Sequence, residues 1–195
     1  MKKIYIRKIF PYDPTFGGKY SKYEGYSRIL KNIEEPSVIK PKKIKVAKGL
    51  NGPIFCSSSK RGIESARLYS QVLKLPYKVI YGLGEIKFSL EDLLSEKVYR
   101  VRGSNLVREM FINRFVNDTL PEKRKSIKQR LDKFLTRISH LKNGRYLAIS
   151  HSFIMKLMET YLKEGELFNN PEILRKYFNF RLKTFEFGSG FEFES

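Results

Sequence analysis

The sequence predicts an α/β fold: a three-layer α/β/α sandwich with a mostly parallel central sheet and a C-terminal antiparallel hairpin. Three observations predict it. Short apolar runs of strand type alternate with longer stretches whose apolar residues recur at helical spacing. Several of the runs end in a cluster of polar or charged residues, as strand tips do. The last residues alternate in character around Gly188-Ser189-Gly190, which reads as a turn. The 195 residues fit one domain, 1–195, long enough to bury a substantial core.

Taken in order, Lys3-Ile4-Tyr5-Ile6 is the first strand and ends in the cations Arg7-Lys8. Residues 10–51 are rich in Pro, Gly, Tyr and Lys, with short helices expected near 26–32 and 41–50. Pro53-Ile54-Phe55-Cys56 is the second strand, stopped by Ser57-Ser58-Ser59. Ile63, Ala66, Leu68, Tyr69, Val72 and Leu73 then cover one helical face. Residues 77–81 give a third strand, and Ser89, with Glu91 and Asp92 behind it, is expected to start a helix. Ile127, Leu131, Phe134, Leu135 and Ile138 mark a long amphipathic helix over 121–141, ended by Asn143-Gly144. Residues 145–149 form the next strand, Ser150-His151 its tip, and 153–162 the following helix. Residues 180–187 and 191–193 are the arms of the terminal hairpin.

Composition narrows the function. An apolar fraction of 41%, with 15 Phe and 12 Tyr, argues against disorder. The single cysteine, Cys56, rules out an internal disulfide, fits a reducing compartment and reads as a core residue. Arg7 and Lys8 interrupt the N-terminal apolar stretch, so no signal-peptide core is expected, and no run reaches the length of a membrane helix. A cytoplasmic protein without membrane insertion is the expectation. A net charge of +19 points to an anionic partner, although the basic residues are spread along the chain rather than gathered in one motif. Spread charge supports non-specific nucleic-acid contact and not sequence recognition.

In a parallel sheet, ligands bind beyond the carboxyl ends of the strands. The polar tips are Arg7-Lys8, Ser57 to Arg61, and Ser150-His151, with Glu85 on the Gly-flanked segment Gly82-Leu83-Gly84-Glu85. Two adjacent cations repel unless an anion comes between them, and phosphate is the commonest such anion. Arginine suits it because the planar guanidinium meets oxygens in pairs. The serines are expected to cap the helix that carries Arg61 and to lend backbone N–H groups to the anion.

These residues resemble the motifs of the histidine phosphatase superfamily, the phosphoglycerate mutase-like proteins. Ile4-Tyr5-Ile6-Arg7-Lys8-Ile9 lies where that family has a strand followed by Arg-His-Gly. Cys56-Ser57-Ser58-Ser59-Lys60-Arg61-Gly62-Ile63-Glu64-Ser65-Ala66 is similar to its Ser-Ser-x-x-x-Arg-Ala motif. Leu83-Gly84-Glu85-Ile86-Lys87-Phe88 looks like its Leu-x-Glu-x-x-Phe segment, and Ser150-His151-Ser152-Phe153 like its late Ser-His-Gly-Gly. The resemblance implies a phosphate pocket of Arg7, Arg61 and His151, joined by Lys8 and Ser57, with Glu85 at the general-acid position. It implies no cofactor and no metal. The family's nucleophile is the histidine of Arg-His-Gly, and Lys8 stands at that position here, with Ile9 at the glycine. The remaining histidine, His140, belongs to the end of the long helix and is no substitute.

Three functions follow as expectations. The first is a protein that binds a phosphorylated or polyanionic ligand without phosphohistidine catalysis. The second is a phosphomonoester hydrolase using Lys8, or water assisted by His151 or Glu85. The third is a basic interaction module for nucleic acid or protein on the same fold. The resemblance also implies that residues 11–51 and 93–116 shape specificity, with Tyr20, Tyr23, Tyr26 and Arg28 as candidates to face the ligand.

Overall fold

The computed structural model of the chain describes residues 1–31, 33–179, 182–183 and 185–195. Its centre is the strand that arrives late in the sequence. β4 (Gly144–Ser150) lies between β1 (Lys2–Lys8) and β2 (Ile54–Cys56) and is parallel to both. β3 (Tyr77–Val79) extends the sheet parallel to β2, and β5 (Gly190–Glu194) closes the other edge antiparallel to β1. The order is β3-β2-β4-β1-β5. β4 is flanked on both sides, and its last five residues are buried. That is why its sequence is a continuous apolar run rather than an alternating one.

Alternation along the strands divides the core in two. Ile4, Ile6, Phe55, Tyr146 and Ala148 face α3 (Glu96–Val116), α4 (Arg124–Ser139) and α5 (Ser152–Lys163). Tyr5, Ile54, Cys56, Leu147 and Ile149 face α2 (Lys60–Leu73), meeting its Ala66 and Tyr69. Helices therefore cover both faces, as the three-layer prediction requires. The Cys56 thiol is buried, and burial pushes its pKa up to about 11, so it is a packing group.

The helix termini follow their local chemistry. α1 (Lys22–Leu30) starts at Ser21, whose hydroxyl accepts from the Glu24 N–H. α2 starts at Ser59, whose hydroxyl accepts from the Gly62 N–H at 2.9 Å. α4 begins at Arg124, later than the spacing predicted, because Glu122 is drawn to Arg130 and Asp118 accepts from the Arg124 N–H. α6 (Pro171–Tyr177) was missed, although Asn170-Pro171-Glu172 is a helix start: the Asn170 side chain accepts from two backbone N–H groups.

Three expectations need correction. Residues 41–50 form no helix. Ile44, Ala47 and Leu50 still pack against the α2-side core, but the four lysines among them lack acidic partners at helical spacing. No helix starts at Ser89 either: its hydroxyl bonds the Glu91 carboxylate, and Leu90, Leu93 and Leu94 are buried by a turn, so α3 begins only after Ser95. Finally, β5 pairs with β1 rather than with a preceding arm. The expected first arm falls partly on Phe180, Arg181 and Thr184, outside the described residues, and its described residues form no strand. Among the described residues no helix is long and apolar enough to cross a membrane, and no cluster of His, Cys, Asp and Glu fits a metal ion.

Candidate anion site at the carboxyl edge of the sheet

Because β1, β4 and β2 are parallel neighbours, Lys8, His151 and the serines after Cys56 arrive at one edge. A cavity of about 630 Å³ opens there, within the range of small-molecule sites. Its lining includes five cationic side chains, Lys8, Arg61, Lys87, Arg108 and Arg130, against two carboxylates, Glu35 and Glu85. Arg130 is itself paired with Glu122, and the cations that remain in excess inside a concave, partly apolar wall focus a positive potential on whatever enters.

His151 forms the floor. It is 3% exposed, and its Nε2 lies 2.8 Å from Ser57 Oγ and 3.2 Å from Ser59 Oγ. Ser57 is wholly buried and stands behind the histidine rather than in the cavity wall. Gly62 makes this arrangement possible: a Cβ there would come within 2.0 Å of Ser57 Oγ. Burial pushes the His151 pKa down to about 3, with Arg61, Arg130 and Lys8 adding to the effect. The ring is therefore neutral at pH 7. When a serine hydroxyl donates to Nε2, the ring proton resides on Nδ1, which can then donate to an anion.

Arg61 is the second wall residue, on the first turn of α2. Its Nε lies 3.3 Å from Glu35 Oε2, and the same oxygen accepts from the Arg61 backbone N–H at 3.4 Å. The pair is nearly buried, with side chains 10% and 14% exposed. The Tyr12 ring covers the guanidinium at 4.4 Å. Glu35 is held there by its neighbours, because Val38 bridges to Tyr12 and its N–H donates to Glu64 of α2. A carboxylate of the chain itself thus sits at a helix N-terminus against an arginine, a place that suits an anion.

Lys8 closes the site from β1. Its ammonium donates to the Phe185 carbonyl at 3.0 Å and lies 4.0 Å from the Phe187 ring centroid. Burial lowers its pKa, while the Glu85 carboxylate acts in the opposite direction. Arg7 is not among the lining residues. It points to the other face of the sheet, over the Tyr5 ring at 5.8 Å and toward Tyr69. The two cations do not act as one clamp, because successive strand residues project to opposite sides.

Glu85 reaches the cavity wall, but its carboxylate is engaged. It accepts from the backbone N–H groups of Ile86, Phe153 and Ile154 at 3.1–3.2 Å, the last two in the first turn of α5. Burial raises its pKa, and those three donors oppose the rise. His140, at the end of α4, is exposed and bonds the Thr136 carbonyl, away from the cavity. Sequence reasoning missed Arg130, which is 5% exposed. It donates to the carbonyls of Gly82, Gly84 and Glu85 and pairs with Glu122 at 2.6 Å, so it clamps the loop that carries Glu85. A signal existed: Arg130 interrupts the apolar face of Ile127, Leu131, Phe134 and Ile138. Glu35, in a loop before Pro36, carried none.

No curated protein matches the chain. Among solved structures, a candidate alpha-ribazole-5'-P phosphatase from Escherichia coli K-12 superposes with a TM-score of 0.56 at 17% identity, over 96% of this chain and 88% of its own. YhfR from Bacillus stearothermophilus gives 0.51 at 14% identity, over 84% and 81%. The alpha-ribazole phosphatase from Shigella flexneri gives 0.50 at 16%, over 95% and 87%. At such identities the likeness establishes the fold. The family description of the histidine phosphatase superfamily (branch 1) matches residues 45–187, well over half of the chain. With strand tips, Ser-rich turn and late histidine meeting at one sheet edge, the chain belongs to the histidine phosphatase superfamily.

Proposed function

We propose that the protein binds a phosphorylated ligand at the carboxyl edge of its sheet and does not turn it over by phosphohistidine chemistry. The observation that carries the reading is the Glu35 carboxylate against both the side chain and the backbone N–H of Arg61. An anion is already bound there, supplied by the chain. A phosphate dianion carries more charge and more acceptor oxygens, so it displaces Glu35 and gains Arg61, the α2 N-terminus, His151 and Lys8 as donors. Membership of a phosphatase superfamily supports a phosphoryl group as that anion. Lys8 stands, on this reading, where the family's histidine nucleophile belongs. Arg7, on the opposite face, takes no direct part.

One observation favours a second reading, in which Lys8 attacks phosphorus itself. Burial lowers the Lys8 pKa and so enlarges the fraction of free amine. Against it, a bound dianion raises that pKa again and restores the ammonium at the moment of reaction.

Calorimetric titration with inorganic phosphate, paired with turnover of p-nitrophenyl phosphate, separates the readings. Phosphate should bind the wild type, Arg61→Ala should weaken it about tenfold or more, and Glu35→Gln should tighten it, with negligible turnover throughout. Phosphate affinity indifferent to Arg61→Ala overturns the binding site. Steady turnover that Lys8→Ala abolishes establishes the second reading instead.

A further inference from the structure

The cavity is larger than a phosphate needs, and the part beyond the cations differs in character. Residues of α1 and of both halves of α3 line this part of the cavity. α1 contributes Tyr26, Ile29 and Leu30 at helical spacing, and α3 contributes Tyr99 from before its break at Gly103 and Val107 and Phe111, one turn apart, from after it. Phe88, from the loop after Glu85, joins them with its ring 4.8 Å from that of Phe111. Tyr26, Phe88 and Tyr99 are half-buried. Their rings border the open volume instead of being enclosed in the core. The break in α3 at Gly103 (φ 66°, ψ −163°) re-aims its second half, so that Ser104, Val107 and Arg108 reach the cavity.

We infer that the ligand is a small phosphate monoester of a flat, aromatic alcohol. The inference rests on the phosphate site proposed above and assigns the rest of the molecule. Aromatic rings gain from stacking against Tyr and Phe faces in addition to the burial of their area. A polyol body fares worse there. Its hydroxyls lose water, and this mostly apolar wall answers only with the Ser104 hydroxyl, the phenol groups of Tyr26 and Tyr99 and the Arg108 guanidinium, which already donates to the Leu182 carbonyl. Arg108, on the same face of α3 as Val107 and Phe111, also offers a guanidinium for stacking on a ring.

The test compares four probes by calorimetry: inorganic phosphate, glycerol 1-phosphate, phenyl phosphate and 1-naphthyl phosphate. The wild type should bind naphthyl phosphate about tenfold or more tightly than glycerol phosphate, with phenyl phosphate between them. Tyr99→Ala should reduce that preference at least about threefold and leave inorganic phosphate within about twofold. Val107→Asn, which adds a polar group without opening a void, should do the same, so the inference does not depend on one variant folding. Glycerol phosphate binding as tightly as naphthyl phosphate overturns the inference, as does a preference that survives both substitutions. In either case phosphate binding stands and only the aromatic assignment falls. Failure of all four probes to bind overturns the phosphate site and the inference together.

Discussion

His151 shows how burial keeps one residue of the cavity neutral and ties the fold to pH. Its pKa is near 3 in the folded chain, against about 6.5 for an unfolded histidine. Between those values the unfolded chain binds the extra proton, so stability rises with pH across the window and is lost as pH falls from 6.5 toward 3. The slope from this residue approaches about 1.4 kcal/mol per pH unit. Urea unfolding at pH 7, 5.5 and 4.5 should show a shallower pH dependence for His151→Gln than for the wild type, and parallel curves would contradict the assignment. At the same scale, the first strand shows what adjacent letters conceal. Arg7-Lys8 reads as a paired clamp, yet the pleat sends Arg7 toward Tyr5 and Tyr69 on the α2 face and Lys8 to the cavity. His151, Arg61, Lys8 and Glu85 line the cavity, and each was legible as a candidate because it ends or follows a strand or begins a helix. Glu35 was not, because a loop residue held by long-range bonds to α2 leaves no periodic trace.

At the level of elements, the loop after β3 depends on α4. Arg130 and Glu122, 6% and 8% exposed, form a buried pair, and the guanidinium also satisfies three loop carbonyls. Removing one partner leaves the other charge buried, which costs about 3–5 kcal/mol. Arg130→Met should therefore be strongly destabilising in chemical denaturation. Replacing both residues by apolar ones, as in Arg130→Met with Glu122→Leu, should recover part of that loss, although the loop carbonyls stay unsatisfied. Equal stability of Arg130→Met and the wild type would contradict the clamp. Elements with a clear apolar period, α2, α4 and α5, were legible in the sequence, and α2 also by its Ser59 cap. The stretch 41–50 was not, because its apolar residues are buried by docking of irregular chain against α2. Ser89 misled for a related reason: a Ser ahead of two acids suits a helix start, but its hydroxyl found Glu91 and the leucines were needed in the core.

For the whole molecule, topology turns separate motifs into a site. Four parallel strands with β4 inside bring the tips of β1, β2 and β4 to one edge, the convergence that the rule for parallel sheets requires. The net charge of +19 is a property of the same scale. It raises the encounter rate with any anion in a salt-dependent way and selects none. On the proposal above, the Glu35 place on Arg61 is a phosphate site. A crystal structure of the protein with phosphate at ten times its measured dissociation constant tests this directly. Phosphate oxygens within hydrogen-bond distance of the Arg61 guanidinium and of the α2 N-terminus, with the Glu35 carboxylate turned away, are the expected result. Glu35 still paired with Arg61, and phosphate bound elsewhere, would contradict it.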